Sequence, residues 1–249
     1  MQNYFPARAP MDPAHFKIPV IILEHHRIPV YVVGELVLNY YNVPRVCHDT
    51  ELCVPNASVR AAADILTSTG LFESSELSES QRDIFSNYKW GFPRLKTAAG
   101  WTYPTLHLII FSSEDFSLDS SGSNRIQWAD GKDDGHISPQ LLDTVPKEHV
   151  RSLPFPRLPP LLIGYARRYV ESQDDPSMIA TEQLVDGMDL DEAWCEFHLR
   201  SVESGVVDVI MERVRTKSQR LDDFSESMVT CYVKNENEAI LVRQICGRN

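Results

Sequence analysis

The sequence predicts an α+β protein: a mixed αβ core followed by a mainly helical C-terminal part. Three observations carry this expectation. From about residue 15 to 70, short β-branched runs alternate with segments of helical spacing, the order of a layered αβ unit. Residues 112–160 are rich in Ser, Asp, Gly and Pro and read as a long, partly irregular crossing. Beyond 160 only helical spacing is seen, until a late apolar run near the end. The expected division is residues 1–157 for a core domain with that crossing and 158–249 for the helical part.

Each element has its own signal. Asp12-Pro13 starts a helix, cap then proline, whose apolar run Ile18 to Leu23 ends at Glu24-His25-His26-Arg27. Ile28 to Val33 is a strand that stops at Gly34, and Glu35 to Tyr41 suits a helix packed on a sheet, ended by Asn42-Val43-Pro44. Thr50 to Val54 is a second strand, stopped by Pro55; Asn56 or Ser58 caps an Ala-rich helix, Val59 to Thr69, that Gly70 terminates. The Ser/Glu-rich residues 73–87 read as a solvated connection, with further strands at Phe92–Lys96 and Leu106–Phe111. Helical spacing then covers 161–172, 178–188, 189–202 and 206–221, with Asp189 or Asp191 as caps, and Met228 to Val233 looks like a late strand.

Composition excludes several function classes. With 43% apolar and 24% charged residues the chain is an ordinary globular protein, and no apolar run approaches the ~20 residues of a spanning helix. No membrane role is expected, and without a basic-then-apolar N-terminal pattern a cytoplasmic location is the default. The net charge of −11, from 24 basic and 35 acidic residues, would repel a polymeric nucleic acid, and Arg167-Arg168 and the basic residues of 213–220 read as a solvated helical face. Five scattered cysteines, with no Cys-x-x-Cys pair, are expected to be reduced and mostly buried.

The most informative stretch is "VVGELVLNYYNVPRVCHDTELCVP", residues 32–55. Residues i and i+2 of a strand share a face, so Asp49 and Glu51 are expected side by side, with Thr50, Leu52 and Val54 toward the core. Adjacent carboxylates repel, and an oxygen-ligated divalent cation such as Mg²⁺ is one way to relieve that; solvated acids on an exposed strand face are the plainer alternative.

The order strand, Gly34, short helix, Arg45, then Asp49-x-Glu51 on a strand resembles the nucleotidyltransferase superfamily of the DNA polymerase beta type, especially its small stand-alone members. The resemblance covers Ile18 to Gly70, about a fifth of the chain, and more loosely the whole sequence looks like fungal proteins of this fold. It implies a nucleotidyltransferase-like mixed sheet, a nucleoside triphosphate (NTP) as substrate received at Gly34 with Glu35 beside it, and Mg²⁺ held by Asp49 and Glu51. The implied reaction passes a nucleoside monophosphate to a small-molecule or protein hydroxyl.

Two positions depart from the family pattern. Glu35 stands where the family has Gly or Ser, and His107 in "TLHLIIF" takes the place of the third carboxylate, with Glu114 and Asp115 just past the strand. A neutral imidazole is a poor Mg²⁺ ligand, although it can act as a base near neutral pH. Three functions therefore stand: transfer with Asp49, Glu51 and His107 as catalytic residues; a degenerate member that binds a ligand or partner; and a pocket reused for other chemistry with His107 as acid or base.

Other residues carry weaker signals. His25-His26 suits helix capping better than metal binding. "ADGKDDGHIS", residues 129–138, lacks the alternating acids and terminal Glu of a calcium loop and reads as a turn. Trp90, Trp101 and Trp128 could stack on a base, though buried aromatics more often pack. Cys47 and His48 should face opposite ways, and no Gly-x-Ser-x-Gly supports serine hydrolase chemistry.

Overall fold

The β-branched run expected at Ile28–Val33 narrows to a three-residue strand, β1 (Tyr31–Val33), in a computed structural model describing residues 14–43, 49–76, 87–101, 105–128, 137–142 and 145–222. Helix α1 (Ala14–His25) precedes it and, despite Pro19 in its interior, buries Phe16, Val20 and Leu23. Val33 is extended, and Gly34 at φ +67° turns the chain directly into α2 (Gly34–Tyr40). Strand β2 (Asp49–Val54) is buried at every position, so its acids are covered along with Leu52, Cys53 and Val54.

Among the described residues β1 and β2 join β3 (Phe72–Ser74), β4 (Arg94–Thr97) and β5 (His107–Ser112) in one mixed five-stranded sheet, in the order β1-β2-β5-β4-β3. β2 lies antiparallel to β1 and parallel to β5 (His107–Ser112), opposing Asp49 to His107 and Glu51 to Ile109. The crossover between β2 and β5 contains a 3₁₀ turn, Asn56–Ser58, the helix α3 (Val59–Ser68), and the strands β3 (Phe72–Ser74) and β4 (Arg94–Thr97). α3 buries Ala62 and Leu66 and ends at Gly70 with φ +72°. The cap expected at Asn56 or Ser58 is not made: Ser58 forms no side-chain cap, and the Asn56 amide donates to Glu114 at 3.2 Å.

β3 overlaps the start of the stretch expected to be a connection, residues 73–87. Only Phe72 of its residues is buried, so the strand is held by backbone pairing, Phe72 to Thr97 and Ser74 to Leu95, rather than by an apolar pattern. At the other edge the Val32 N–H donates to the Pro154 carbonyl at 3.1 Å, which blunts a strand that would otherwise invite pairing.

The crossing after β5 is interrupted by the short helices α4 (Pro139–Leu142) and α5 (Lys147–Arg151). Then come α6 (Leu158–Ser172), α7 (Asp175–Gly187), α8 (Glu192–His198), α9 (Ser204–Arg215) and α10 (Lys217–Asp222). Asp174 caps α7 and Asp191 caps α8, each accepting a backbone N–H, while the alternative cap Asp189 sits in a turn at φ +47°. α6 packs on α7, α9 and the turn after β5, where a Cβ on Gly164 would lie 2.0 Å from the Phe116 carbonyl oxygen. Only glycine permits that approach.

Two residues of the expected basic face are paired, Arg167 with Glu203 at 2.8 Å and Arg220 with Asp186 at 2.6 Å. Cys53 and Cys195 are buried free thiols. Among the described residues no helix is long and apolar enough to cross a membrane. The expected helix start at Asp12-Pro13, Arg45, Cys47, His48, most of the 129–138 turn and the strand at 228–233 lie outside the described residues.

Candidate functional site

Strand alternation turns Asp49 and Glu51 to the same side, where they meet one cation. The Lys89 Nζ lies 2.8 Å from Asp49 Oδ2 and 2.8 Å from Glu51 Oε1. Lys89 closes a 3₁₀ turn, Asn87–Lys89, that leads toward β4. Arg94, on β4, adds a second cation, its guanidinium 2.9 Å from Asp49 Oδ1 and 3.4 Å from Oδ2. The Tyr88 hydroxyl donates to Glu51 Oε1 at 2.8 Å, and its ring stacks on Phe111. Asp49 is 8% exposed and Glu51 1%, so this is a buried ionic cluster rather than a solvated strand face.

The electrostatics follow from that burial. Desolvation would raise Asp49, but Lys89 and Arg94 outweigh it and hold the carboxyl below its usual value. Glu51 moves the other way: complete burial pushes it up against the pull of Lys89, and the nearby Glu35 pushes further. Burial opposes the Lys89 charge, yet Glu51 and Asp49 hold its ammonium above the ordinary lysine value.

Gly34 abuts this cluster. A Cβ there would lie 2.0 Å from Glu51 Oε2, and that oxygen is buried without a hydrogen-bond partner. Gly34 and Glu35 also line a cavity of about 270 Å³ between α2, the Tyr88-Lys89 turn, α6 and α7. Its charged lining is mixed, with Lys89 and Arg168 against Glu35 and Asp174, and Ser177 and Gln183 add neutral polar groups. Arg168 is itself paired with Asp174 at 3.4 Å and lies over the Tyr88 ring at 5.2 Å.

His107 is placed beside Asp49 on the neighbouring strand. Burial, then the positive Arg94, lowers its pKa against the opposing pull of Asp49, and its Nδ1 is buried without a partner. The two acids past the strand have other tasks. Asp115 accepts the Ser112 N–H at 3.1 Å while the Ser112 hydroxyl accepts the Glu114 N–H, a reciprocal cap on the turn, and Glu114 binds Asn56.

This arrangement does not fit a Mg²⁺ ion between Asp49 and Glu51. Both Asp49 oxygens and one Glu51 oxygen already accept charged or hydroxyl donors, and the remaining Glu51 oxygen faces the Gly34 backbone. Mg²⁺ requires a near-octahedral oxygen shell and keeps several waters, and the space beside the pair is filled by the Lys89 ammonium. No group of three or more His, Cys, Asp or Glu that could hold a metal occurs among the described residues.

The other sequence candidates disperse. Trp90 is 42% exposed, Trp101 packs edge-on to Phe72, and Trp128 packs edge-on to Tyr40, so the three do not form one stacking site. Sequence reasoning missed Tyr88, Lys89 and Arg94. The signal was indirect: two acids on a strand covered on both faces demand buried cations, and Lys89 and Arg94 precede the partner strand.

No family model matches the chain, and no curated protein matches it. Among solved structures, the chain is similar to the solution structure of the antibiotic-resistance factor ANT(2'')-Ia, with 12% identity and a TM-score of 0.37 over 85% of this chain and 97% of that one. A crystal structure of ANT(2'')-Ia in complex with adenylyl-2''-tobramycin gives 11% identity and a TM-score of 0.37, over 83% of this chain and 97% of that one.

Proposed function

We propose that this chain is a nucleotidyltransferase-type protein whose acid pair is neutralised from within, and that it binds a small polar molecule at the Gly34 cavity without transferring a nucleotide. The observation that carries this reading is the single Lys89 ammonium at 2.8 Å from both Asp49 and Glu51. It supplies the positive charge that a metal would otherwise supply and removes the reason for one to bind. Glu35 in the cavity wall disfavours a triphosphate, whereas the mixed charges of Lys89, Arg168, Glu35 and Asp174 suit a ligand carrying both an acidic and a basic group.

A second reading is favoured by one observation, the unpartnered Glu51 Oε2 beside the Gly34 turn. If Lys89 withdraws when a metal–nucleotide complex arrives, Asp49 and Glu51 become ligands, and a nucleoside monophosphate passes to a small-molecule or protein hydroxyl.

Thermal melting with Mg²⁺ or Mn²⁺, alone and with ATP, separates the two, because a ligand of the native state raises Tm. The first reading expects no metal-dependent rise and no pyrophosphate from any of the four ribonucleoside triphosphates. Metal-dependent stabilisation or pyrophosphate release by the unmodified protein establishes the second.

A further inference from the structure

A second cavity, of about 550 Å³, opens at the opposite end of the α2–α6–α7 layer and shares no lining residue with the Gly34 cavity. Its apolar walls come from Ile126, Leu158, Met188, Leu190 and Trp194, and the buried Tyr40 and Tyr41 also line it. Protein interiors close-pack, and voids much larger than a water molecule are few, so a space of this size is within the range of small-molecule sites rather than packing defects.

The charged side chains among the described residues that line it have one sign. Arg125 and Arg157 line the cavity and, among the described residues, no Asp or Glu does, although the chain as a whole carries a net charge of −11. Arg125 is held in place by Glu24 at 2.7 Å and lies over the Tyr31 ring. Its Nε is buried without a hydrogen-bond partner. Arg157 is exposed and paired with no carboxylate among the described residues, and its charge acts on the buried Tyr41 hydroxyl nearby. The Tyr41 hydroxyl in turn donates to the Pro156 carbonyl at 2.8 Å, which fixes the backbone that presents Arg157.

We propose that this cavity binds a small amphipathic anion, an apolar or aromatic body bearing one carboxylate, sulfonate or phosphate, with Arg157 receiving the charge and the Leu158–Met188–Trp194 walls receiving the body. The assignment is independent of the Gly34 site, since none of its residues touches that cavity.

The test titrates the full chain with 8-anilinonaphthalene-1-sulfonate, an aromatic anion, and with N-phenyl-1-naphthylamine, its neutral counterpart. The anion should saturate one site per chain and bind more tightly than the neutral compound. Arg157→Ala removes an exposed side chain and leaves the fold intact; it should weaken the anion about tenfold or more and leave the neutral compound unchanged. Leu158→Trp, which pushes a bulkier ring into the apolar wall without filling the cavity, should weaken both. Absence of saturable binding overturns the site, as does anion and neutral binding that Leu158→Trp leaves unchanged. Binding weakened in Leu158→Trp but untouched by Arg157→Ala overturns the assignment to an anion.

Discussion

Gly34 and Glu51 are neighbours at the limit of close approach: any side chain at Gly34 would overlap the Glu51 carboxylate, with the Cβ 2.0 Å from Oε2. The same glycine holds φ at +67°, a region that costs other residues about 1–2 kcal/mol. Gly34→Ala should therefore destabilise by more than about 2 kcal/mol in urea unfolding, clash and strain together. Adding Glu51→Ala should relieve most of the clash, leaving only the Cβ at 3.0 Å, but not the strain, so the double variant loses less than the sum of the two single losses. Strict additivity would show that the two residues are not in contact in solution.

The Lys89 ammonium makes a separate prediction. Its side chain is 9% exposed and serves two buried acids, so Lys89→Met leaves both uncompensated apart from Arg94 and should cost about 3–5 kcal/mol at neutral pH. Lys89→Met combined with Asp49→Asn and Glu51→Gln should recover much of that loss. If the triple variant is no more stable than Lys89→Met alone, the buried charges are not what Lys89 compensates.

His107 gives a pH dependence whose sign is fixed by its lowered pKa. The unfolded imidazole takes up its proton near pH 6.5, before the folded one does, so the unfolded state binds more protons in that interval. His107 thus contributes stability that is whole above about pH 6.5 and declines as pH falls toward its lower folded value. His107→Gln should flatten part of the slope of stability against pH below about 6.5, leaving the shares of His198, which burial also lowers, and of Glu51, which burial raises. Asp49, held below its usual value, adds a further loss only below about pH 4.

Asp115 is next to the site in sequence terms but belongs to the turn after β5. Asp115→Asn should weaken the reciprocal cap with Ser112 and cost about 1 kcal/mol of stability, with no change in how the protein responds to ligands of the Gly34 cavity. A change in ligand response without a change in stability would move Asp115 into the site.

The elements written in apolar periodicity were legible, and those written in pairing were not. β2, β5, α2, α3 and α6 each bury a continuous face, and the sequence shows them within a few residues. β3 buries only Phe72 and exists because β4 offers it a partner, which no local pattern announces. The acid pair was legible for the same reason as its strand, since alternation alone puts Asp49 and Glu51 on one face. What faces them was not. Lys89 is reached through a turn that follows a Ser/Glu-rich stretch, and whether that turn folds back over β2 depends on tertiary packing of Tyr88 against Phe111.

The last prediction joins the family resemblance to the observed cluster. His107 opposes Asp49 across β2 and β5, so His107→Asp places a third carboxylate where the resemblance expects one. With Lys89 in place that variant should still show no Mg²⁺-dependent rise in Tm, because the ammonium continues to occupy the space between Asp49 and Glu51. Lys89→Ala added to His107→Asp removes the internal cation and leaves three acids with only Arg94 opposing them, a set that should bind Mg²⁺ or Mn²⁺ and gain stability from it. Calorimetric titration of the wild type and of both variants with each metal reads this directly. If His107→Asp alone responds to metal, Lys89 is not the barrier, and the missing carboxylate is. If the double variant melts as the unmodified protein does but binds no metal, the cluster is not a metal site that has been filled from within. Its acids would then serve to anchor the Tyr88-Lys89 turn over the sheet.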